Sequence, residues 1–433
     1  MIQKLTLERF KNFEKAELVL GSFTTLIGSN ATGKSNLRDA FRFLHGIGRG
    51  YTLAEILGEK YSEGGYLEWR TCGGTQEITY LGSSSFKVTV QLLTQSSTEY
   101  TYSIEVEPGD QRTRPRVISE SLQMNQIMLY EAYLTEAAAK NGAAHLSVRH
   151  LHYDQNEKLI DEIRLEMRSD QPVLSQASSA QEARFFGESH DLLFYVLSTF
   201  LKVRFFTLHP EAMRIPSLPG QTVLGDRGEN LSSVLQAICE KREYKQALLQ
   251  WLQELTPLDV TDFDFVADQT GRILMNLVEQ DGHRISAYSA SDGTLRFLAV
   301  LAALLGPKVT GDTEQPAHLY FFEELENGLH PARLHLLLQL LQQETKAGEL
   351  QIVTTTHSPQ FLQALSATAR EQASLLYRLP GKTSGYIKRI MALPEIQRIL
   401  TQQNLALLHE SGWFEDVVDF LENTEADELA VAL

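Results

Sequence analysis

The 433-residue chain is poor in several things, and each shortage excludes a class of protein. It has two cysteines, Cys72 and Cys239. They lie far apart and in no metal-ligand or redox spacing, which excludes a disulfide scaffold and leaves two thiols in a reducing compartment. The longest apolar run, Phe297 to Gly306, has about half the residues a membrane-spanning helix needs. The opening MIQKLTLERFKNF lacks the apolar core and cleavage site of a secretory signal, so a cytoplasmic protein with no membrane partner is expected. Positive charge is scarce as well. Against 55 Asp and Glu stand 39 Lys and Arg, for a formal net charge of −16. Bulk attraction to DNA or to an anionic membrane is thereby excluded, and any nucleic-acid contact must use a local basic face. No heptad pattern persists for the three or four repeats of a coiled coil, and there is no internal repeat. What remains is ordinary globular composition, 43 % hydrophobic and 22 % charged, long enough for two or three domains or one large one with insertions.

Residues 23–38, FTTLIGSNATGKSNLR, carry the strongest signal. An apolar run from Phe23 to Ile27 ends at Gly28, and Gly33-Lys34-Ser35 closes a Gly-x-x-x-x-Gly-Lys-Ser loop. Leu37, Ala40, Phe41 and Leu44 then follow at helical spacing. Strand, loop and helix in that order are the context a phosphate-binding loop requires. The glycines let successive N–H groups turn inward toward phosphate oxygens, and the helix start adds its partial positive charge. The loop residues Gly28, Ser29, Asn30, Ala31, Thr32, Gly33, Lys34, Ser35 and Asn36 are the candidate nucleotide-binding set. Lys34 is expected at the β- and γ-phosphates and Ser35 on Mg²⁺. A glycine-rich turn that binds nothing would leave the full pattern and its context unexplained.

Along the chain, residues 1–28 read as a strand, a turn and a second strand leading into this loop. EITYLG, FKVTVQLL and EYTYSIEVE within 51–107 read as strands of an antiparallel β subdomain, so 1–107 form the first half of the molecule. Residues 108–204 read as an inserted, partly helical subdomain, with helical patches near 126–140 and 184–203 and a mobile connection at Ser175 to Ala180. Arg112, Arg114 and Arg116 are read as a solvated basic loop rather than a phosphate contact. Residues 205–400 form the second half, with a helix over 231–254 and strands at DFDFVA and RILMNLVEQ. Residues 401–433 end in an acidic stretch whose apolar residues Trp413, Phe414, Val417, Val418, Phe420 and Leu421 suit a short docking helix or a frayed tail.

Three later segments add chemistry. HLYFFEELENGLHP (318–331) is an apolar strand closed by Glu323 and Glu324, carboxylates that are costly there unless a cation waits. Glu323 is then a Mg²⁺ carboxylate and Glu324 orients the attacking water. LQIVTTTHSPQF (350–361) is a β-branched strand ending at His357, placed to contact a γ-phosphate. YSASDGTLRFLAVLAALL (288–305) joins a Ser-Asp-Gly turn to a long helix capped by Ser291. Together these predict an α/β fold, a P-loop NTPase with a mixed-sheet core.

The order GSNATGKS, SASDGT, LYFFEELENGLHP, TTTHSP resembles the ABC-type ATPase heads of the RecF, SMC and OLD (overcoming lysogenisation defect) class, as does the opening ERFKNF. The similarity covers residues 1–45 and about 285–365. It implies an ABC-ATPase head that binds ATP and Mg²⁺ and forms a homodimer around two nucleotides. In that arrangement Ser291, Asp292 and Gly293 are a signature motif acting in trans. Glu324 is the catalytic base, Glu326 and Asn327 belong to the D-loop, His357 is the switch histidine, and Lys34 supplies charge at the phosphates. The chain departs from the pattern in carrying Glu323 where aspartate is usual and Ser-Asp-Gly where Ser-Gly-Gly is usual. It also lacks a coiled coil and a fused Toprim nuclease. DNA maintenance or anti-phage defence is the expected setting, with DNA or a separately encoded nuclease or Toprim-like effector as partner. The γ-phosphate-sensing glutamine of this class has only Gln91, Gln123 and Gln126 as candidates. A nucleotide-binding scaffold with little hydrolysis and a transporter ATPase subunit are the alternatives.

Overall fold

A computed structural model describes the chain apart from residues 62–66, 71–73, 111–112, 136–144, 154–157, 178–185, 188, 256–258, 310–318, 349, 380, 394–395, 401–402, 415 and 419–433. Two large sheets enclose a layer of helices. The first sheet is antiparallel and holds β1 (Ile2–Phe10), β2 (Phe13–Val19), β6 (Phe86–Leu93), β7 (Glu99–Glu107), β8 (Arg116–Met124), β9 (Ile127–Tyr133), β10 (His145–Tyr153) and β11 (Leu159–Arg168). Its strand order is β11-β10-β9-β8-β7-β6-β1-β2. The remaining short pair, β4 (Glu59–Tyr61) and β5 (Leu67–Arg70), stands apart. Alternation sets the faces: in β6 Phe86, Val88, Val90 and Leu92 are buried while the residues between them are partly exposed, the period of a half-buried strand.

The second sheet is the P-loop core. It contains β3 (Phe23–Ile27), β12 (Val203–Phe206), β16 (Leu319–Glu323), β17 (Gln351–Thr356), β18 (Ser374–Arg378) and β19 (Gly385–Arg389), in the order β12-β16-β17-β3-β18-β19. The first five run parallel and β19 is antiparallel to β18. Both faces are covered, so β3 is buried at every residue, as near-continuous apolar strands of parallel sheets are. In β16, Leu319 and Phe321 join the core shared with the antiparallel sheet. Tyr320 and Phe322 join the core on the opposite face.

Helix α1 (Lys34–Gly48) lies between the two sheets. Phe43 meets Phe86 of the antiparallel sheet at 5.4 Å between ring centroids, and Phe41 meets Phe321 of the parallel sheet at 5.8 Å. Such contacts between fully buried rings add about 0.5–1.5 kcal/mol each beyond area burial. Beside α1 run α2 (Val173–Ala177) and α3 (Ser189–Leu201). The other face of the parallel sheet carries α4 (Leu231–Glu240), α5 (Arg242–Leu255), α6 (Asp292–Val309) and α7 (Pro331–Glu344). A three-stranded sheet of β13 (Val260–Ala267), β14 (Ile273–Glu279) and β15 (Arg284–Ser286) flanks them.

The α/β architecture with a mixed P-loop sheet and an antiparallel sheet agrees with the sequence expectation. The expected partly helical insert over 108–204 agrees in part: the patch near 184–203 contains a helix, Ser189–Leu201, but β8–β11 extend the sheet that β1, β6 and β7 begin, and the helix expected near 126–140 is β9 over Ile127–Tyr133. Ser175, read as part of a mobile connection, is buried in α2, and its hydroxyl donates to the Ile47 carbonyl at 2.8 Å; Ser178 to Ala180 lie outside the described residues. The EITYLG segment makes only an isolated bridge, Thr79 to Phe10, and a 3-10 turn. The helix expected over 231–254 is two helices, parted at Lys241 by an extended backbone. Arg116 is paired to Glu107 at 2.8 Å. Among the described residues no helix is long and apolar enough to cross a membrane. Cys72, Arg112 and the acidic residues from 419 onward lie outside the described residues. Phe414 and Val418 are buried against the core.

Candidate nucleotide site

The strand order brings the C-terminal ends of β3, β17, β16 and β12 side by side, the edge at which open α/β sheets bind ligands. Residues Ser29, Asn30, Ala31, Gly33, Lys34, Ser35 and Asn36 line a cavity of about 380 Å³ there. Glu323, Glu324, Asn327, Thr355, Thr207, Leu208, His209 and Arg296 complete its wall. The two halves of the chain, almost 300 residues apart in sequence, thus meet at one cavity.

The loop owes its shape to two glycines. A Cβ on Gly28 would fall 2.5 Å from the Leu376 carbonyl oxygen, so only glycine allows the chain to leave β3 so close to β18. Gly33 has φ of +117°, and a Cβ there would meet the Phe13 ring at 2.7 Å. Inside the turn the Thr32 hydroxyl donates to the Ser29 carbonyl at 2.9 Å. The helix begins with the Leu37 N–H on the Gly33 carbonyl at 3.0 Å. Lys34 Nζ donates to the carbonyls of Gly28 and Ser29. Burial lowers the Lys34 pKa, and Glu324 and Glu326 pull it back up. From outside, Asn12 pins the loop: its amide donates to the Thr32 carbonyl at 3.1 Å and accepts from Asn36 at 2.6 Å.

Glu323 and Glu324 end β16 in different ways. The Glu323 carboxylate accepts from Arg38 of α1 at 2.6 Å and from the Thr207 hydroxyl at 2.7 Å. Glu324 turns into the left-handed region, φ +48°, a conformation that costs a non-glycine residue about 1–3 kcal/mol and that clusters at functional sites. Its N–H still pairs with the Thr355 carbonyl at 3.1 Å. Its carboxylate accepts from the Asn327 amide at 2.7 Å and lies 3.4 Å from His357 Nδ1. Glu326 is buried, accepts from the Thr356 hydroxyl at 2.5 Å, and has its pKa raised by burial. His357 follows β17 and lines an adjoining cavity of about 450 Å³ with Glu326, Asn327 and Gly328.

Ser291, Asp292 and Gly293 stand apart from this cavity. Ser291 caps α6, accepting from the Thr294 N–H at 3.2 Å, while Arg214 holds Asp292 at 2.7 Å and the Ala290 carbonyl at 3.0 Å. One turn further on, Arg296 does reach the cavity. None of Gln91, Gln123 and Gln126 lines it: they belong to β6, β8 and the turn after β8. The strand beside β16 delivers Thr207 and His209 instead. Asn12, Arg38, Thr207, His209 and Arg296 are the participants the sequence pattern did not reveal. Of these only Asn12, within the ERFKNF segment, had a visible signal.

Mg²⁺ suits the donors present, because the Ser35 hydroxyl and the Glu323 carboxylate, both hard oxygen ligands, line the same cavity. Bound there, the ion would neutralise phosphate charge.

A family model described as "AAA domain, putative AbiEii toxin, Type IV TA system" matches residues 23–363. A curated protein of Helicobacter pylori named ATP/GTP phosphatase is 21 % identical over 380 residues, covering 86 % of this chain and 89 % of that protein. Among solved structures, the chain is similar to an SMC head bound to the C-winged helix domain of ScpA, with 13 % identity, a TM-score of 0.49, and coverage of 89 % of this chain and 97 % of that one. It is also similar to the SMC head domain from Thermotoga maritima, with 12 % identity, a TM-score of 0.42, and coverage of 90 % and 98 %.

Proposed function

The chain belongs to this family of AAA domains and is a P-loop ATPase, and from that premise we propose that it is an ATP-driven switch that closes as a homodimer around two nucleotides. Lys34 and the N–H groups of the loop bind the phosphates. Glu324 holds the attacking water, with Asn327 and His357 orienting the carboxylate. Positioning and charge neutralisation of this kind carry most of the catalysis of phosphoryl transfer.

The observation that carries the dimer is the Ser291 turn. Ser291 and Asp292 are exposed at the start of an 18-residue helix, and neither lines the nucleotide cavity of its own subunit. A helix start of this kind is an anion site, and a second subunit would supply the anion, the γ-phosphate of its ATP. Ser291→Arg fills that surface without touching the P-loop. We expect it to retain ATP binding and to lose ATPase activity by at least tenfold; unchanged turnover would remove the role in trans.

The setting that fits best is DNA maintenance or defence against phage, with the output of the switch read by DNA or by a separately encoded effector such as a nuclease. The toxin–antitoxin wording of the family description supports a defence role, and the phosphatase name of the Helicobacter pylori relative supports turnover rather than a passive scaffold.

A further inference from the structure

A second cavity, about 880 Å³, opens behind the nucleotide site and shares Thr207 and His209 with it. Its charge runs against the chain as a whole. Arg38, Arg42 and Arg49 line it from α1 and the residue after it, Arg204 from β12 and Arg227 from the following loop; among the described residues the acids that line it are Asp226 and Glu229, and Arg42 pairs with Asp226 at 3.3 Å. The spacing 38, 42, 45, 49 is one helical face. The fourth member, His45, is held neutral by burial, its pKa lowered to about 4, so its own charge is withheld from the cluster. Two of the aromatic faces present are already covered: the Arg42 guanidinium lies 5.5 Å from the Trp69 ring centroid and 5.4 Å from that of Phe205. The cavity therefore offers guanidinium forks rather than a base-stacking platform, the chemistry that grips phosphate.

We propose that this arginine-lined cavity is an effector site for a phosphate-dense ligand, and that its occupant controls the ATPase through Arg38. The link is one side chain long. Arg38 lines the cavity and at the same time donates to Glu323 at 2.6 Å. A phosphate that draws the guanidinium into the cavity leaves the Glu323 carboxylate to the Thr207 hydroxyl alone and frees it for a cation. The binding half of this proposal stands independently; the control half rests on the ATPase reading.

Two probes separate the sources of such phosphate: inorganic tripolyphosphate and a fluorescein-labelled ten-residue oligothymidylate, each at fixed free Mg²⁺. Binding is measured with the P-loop filled by a non-hydrolysable ATP analogue and, separately, in Lys34→Ala, where that analogue no longer binds. We expect one probe to bind in both cases, to weaken steeply with salt, and to weaken at least tenfold in Arg227→Glu, an exposed position outside the ATPase machinery. The bound probe should raise ATP turnover of the wild type and not of Arg227→Glu, whose basal rate is unchanged. Tripolyphosphate alone assigns the site to a free nucleotide or polyphosphate, and the oligonucleotide assigns it to a nucleic-acid strand. Binding of neither, binding abolished by the ATP analogue, or full affinity in a folded Arg227→Glu overturns the site. Binding with no change in turnover overturns the control through Arg38.

Discussion

Gly293 and Gly328 meet backbone to backbone: a Cβ on Gly293 would fall 2.4 Å from the Gly328 carbonyl oxygen. The turn that starts α6 is thereby seated on the segment that follows Glu324, and Gly328 itself has φ of +75°. Movement of one must be felt by the other. Gly293→Ala forces a shift of backbone against backbone, which no flexible side chain can absorb. We expect ATP binding within about twofold of wild type, because the P-loop is untouched, and turnover reduced by an order of magnitude or more. Parallel measurement of nucleotide affinity and steady-state phosphate release checks this.

Glu120 anchors α2 to the antiparallel sheet. Fully enclosed, it accepts from the hydroxyls of Tyr102 and Tyr130 at 3.1 and 2.8 Å, and from the N–H groups of Val173 and Leu174 at 2.7 and 2.8 Å. Glu120→Ala strands four buried donors, at a cost of about 3–5 kcal/mol by analogy with broken buried charge networks. Glu120→Gln keeps the shape and two acceptor sites, so its loss should be smaller. Urea denaturation of the two variants gives the ranking, and equal stability of Glu120→Ala and wild type would contradict it.

His150 on β10 is buried against His152 and Phe186, with ring centroids 4.2 and 4.7 Å away. Burial first, and His152 second, lower its pKa from 6.5 to about 4. The unfolded chain therefore binds a proton that the folded chain refuses between those values. The stabilising effect is complete above about pH 6.5 and is lost as pH falls toward 4, up to about 2–3 kcal/mol. His150→Phe should flatten this part of the melting temperature against pH. An unchanged slope below pH 6.5 would assign the acid sensitivity elsewhere.

The site was legible where its signal is local. The P-loop, the two-acid strand and the strand before His357 each combine an apolar run with a polar terminus inside about fifteen residues, and each lies on a strand the structure contains. Residues 126–133 misled because Gln, Met, Leu, Glu and Ala favour helix intrinsically, while the cross-strand partners on β8 and β10 that make them β9 are remote in sequence. Thr207 and His209 were hidden for the same reason. Nothing in VRFFTLH marks a neighbour of the nucleotide cavity until β12 pairs with β16, more than a hundred residues away. Arg38 and Arg296 carry no signal of their own in the sequence; only α1 and α6 set them against Glu323 and the cavity.

A switch that closes on ATP must change its mass in solution, to be measured for wild type and Glu324→Gln, each with and without Mg-ATP. Removing the carboxylate proposed to hold the attacking water should trap the closed state. We expect a doubling of the protomer mass of 48.8 kDa that requires ATP and persists only in Glu324→Gln. A mass indifferent to nucleotide in both proteins would contradict it.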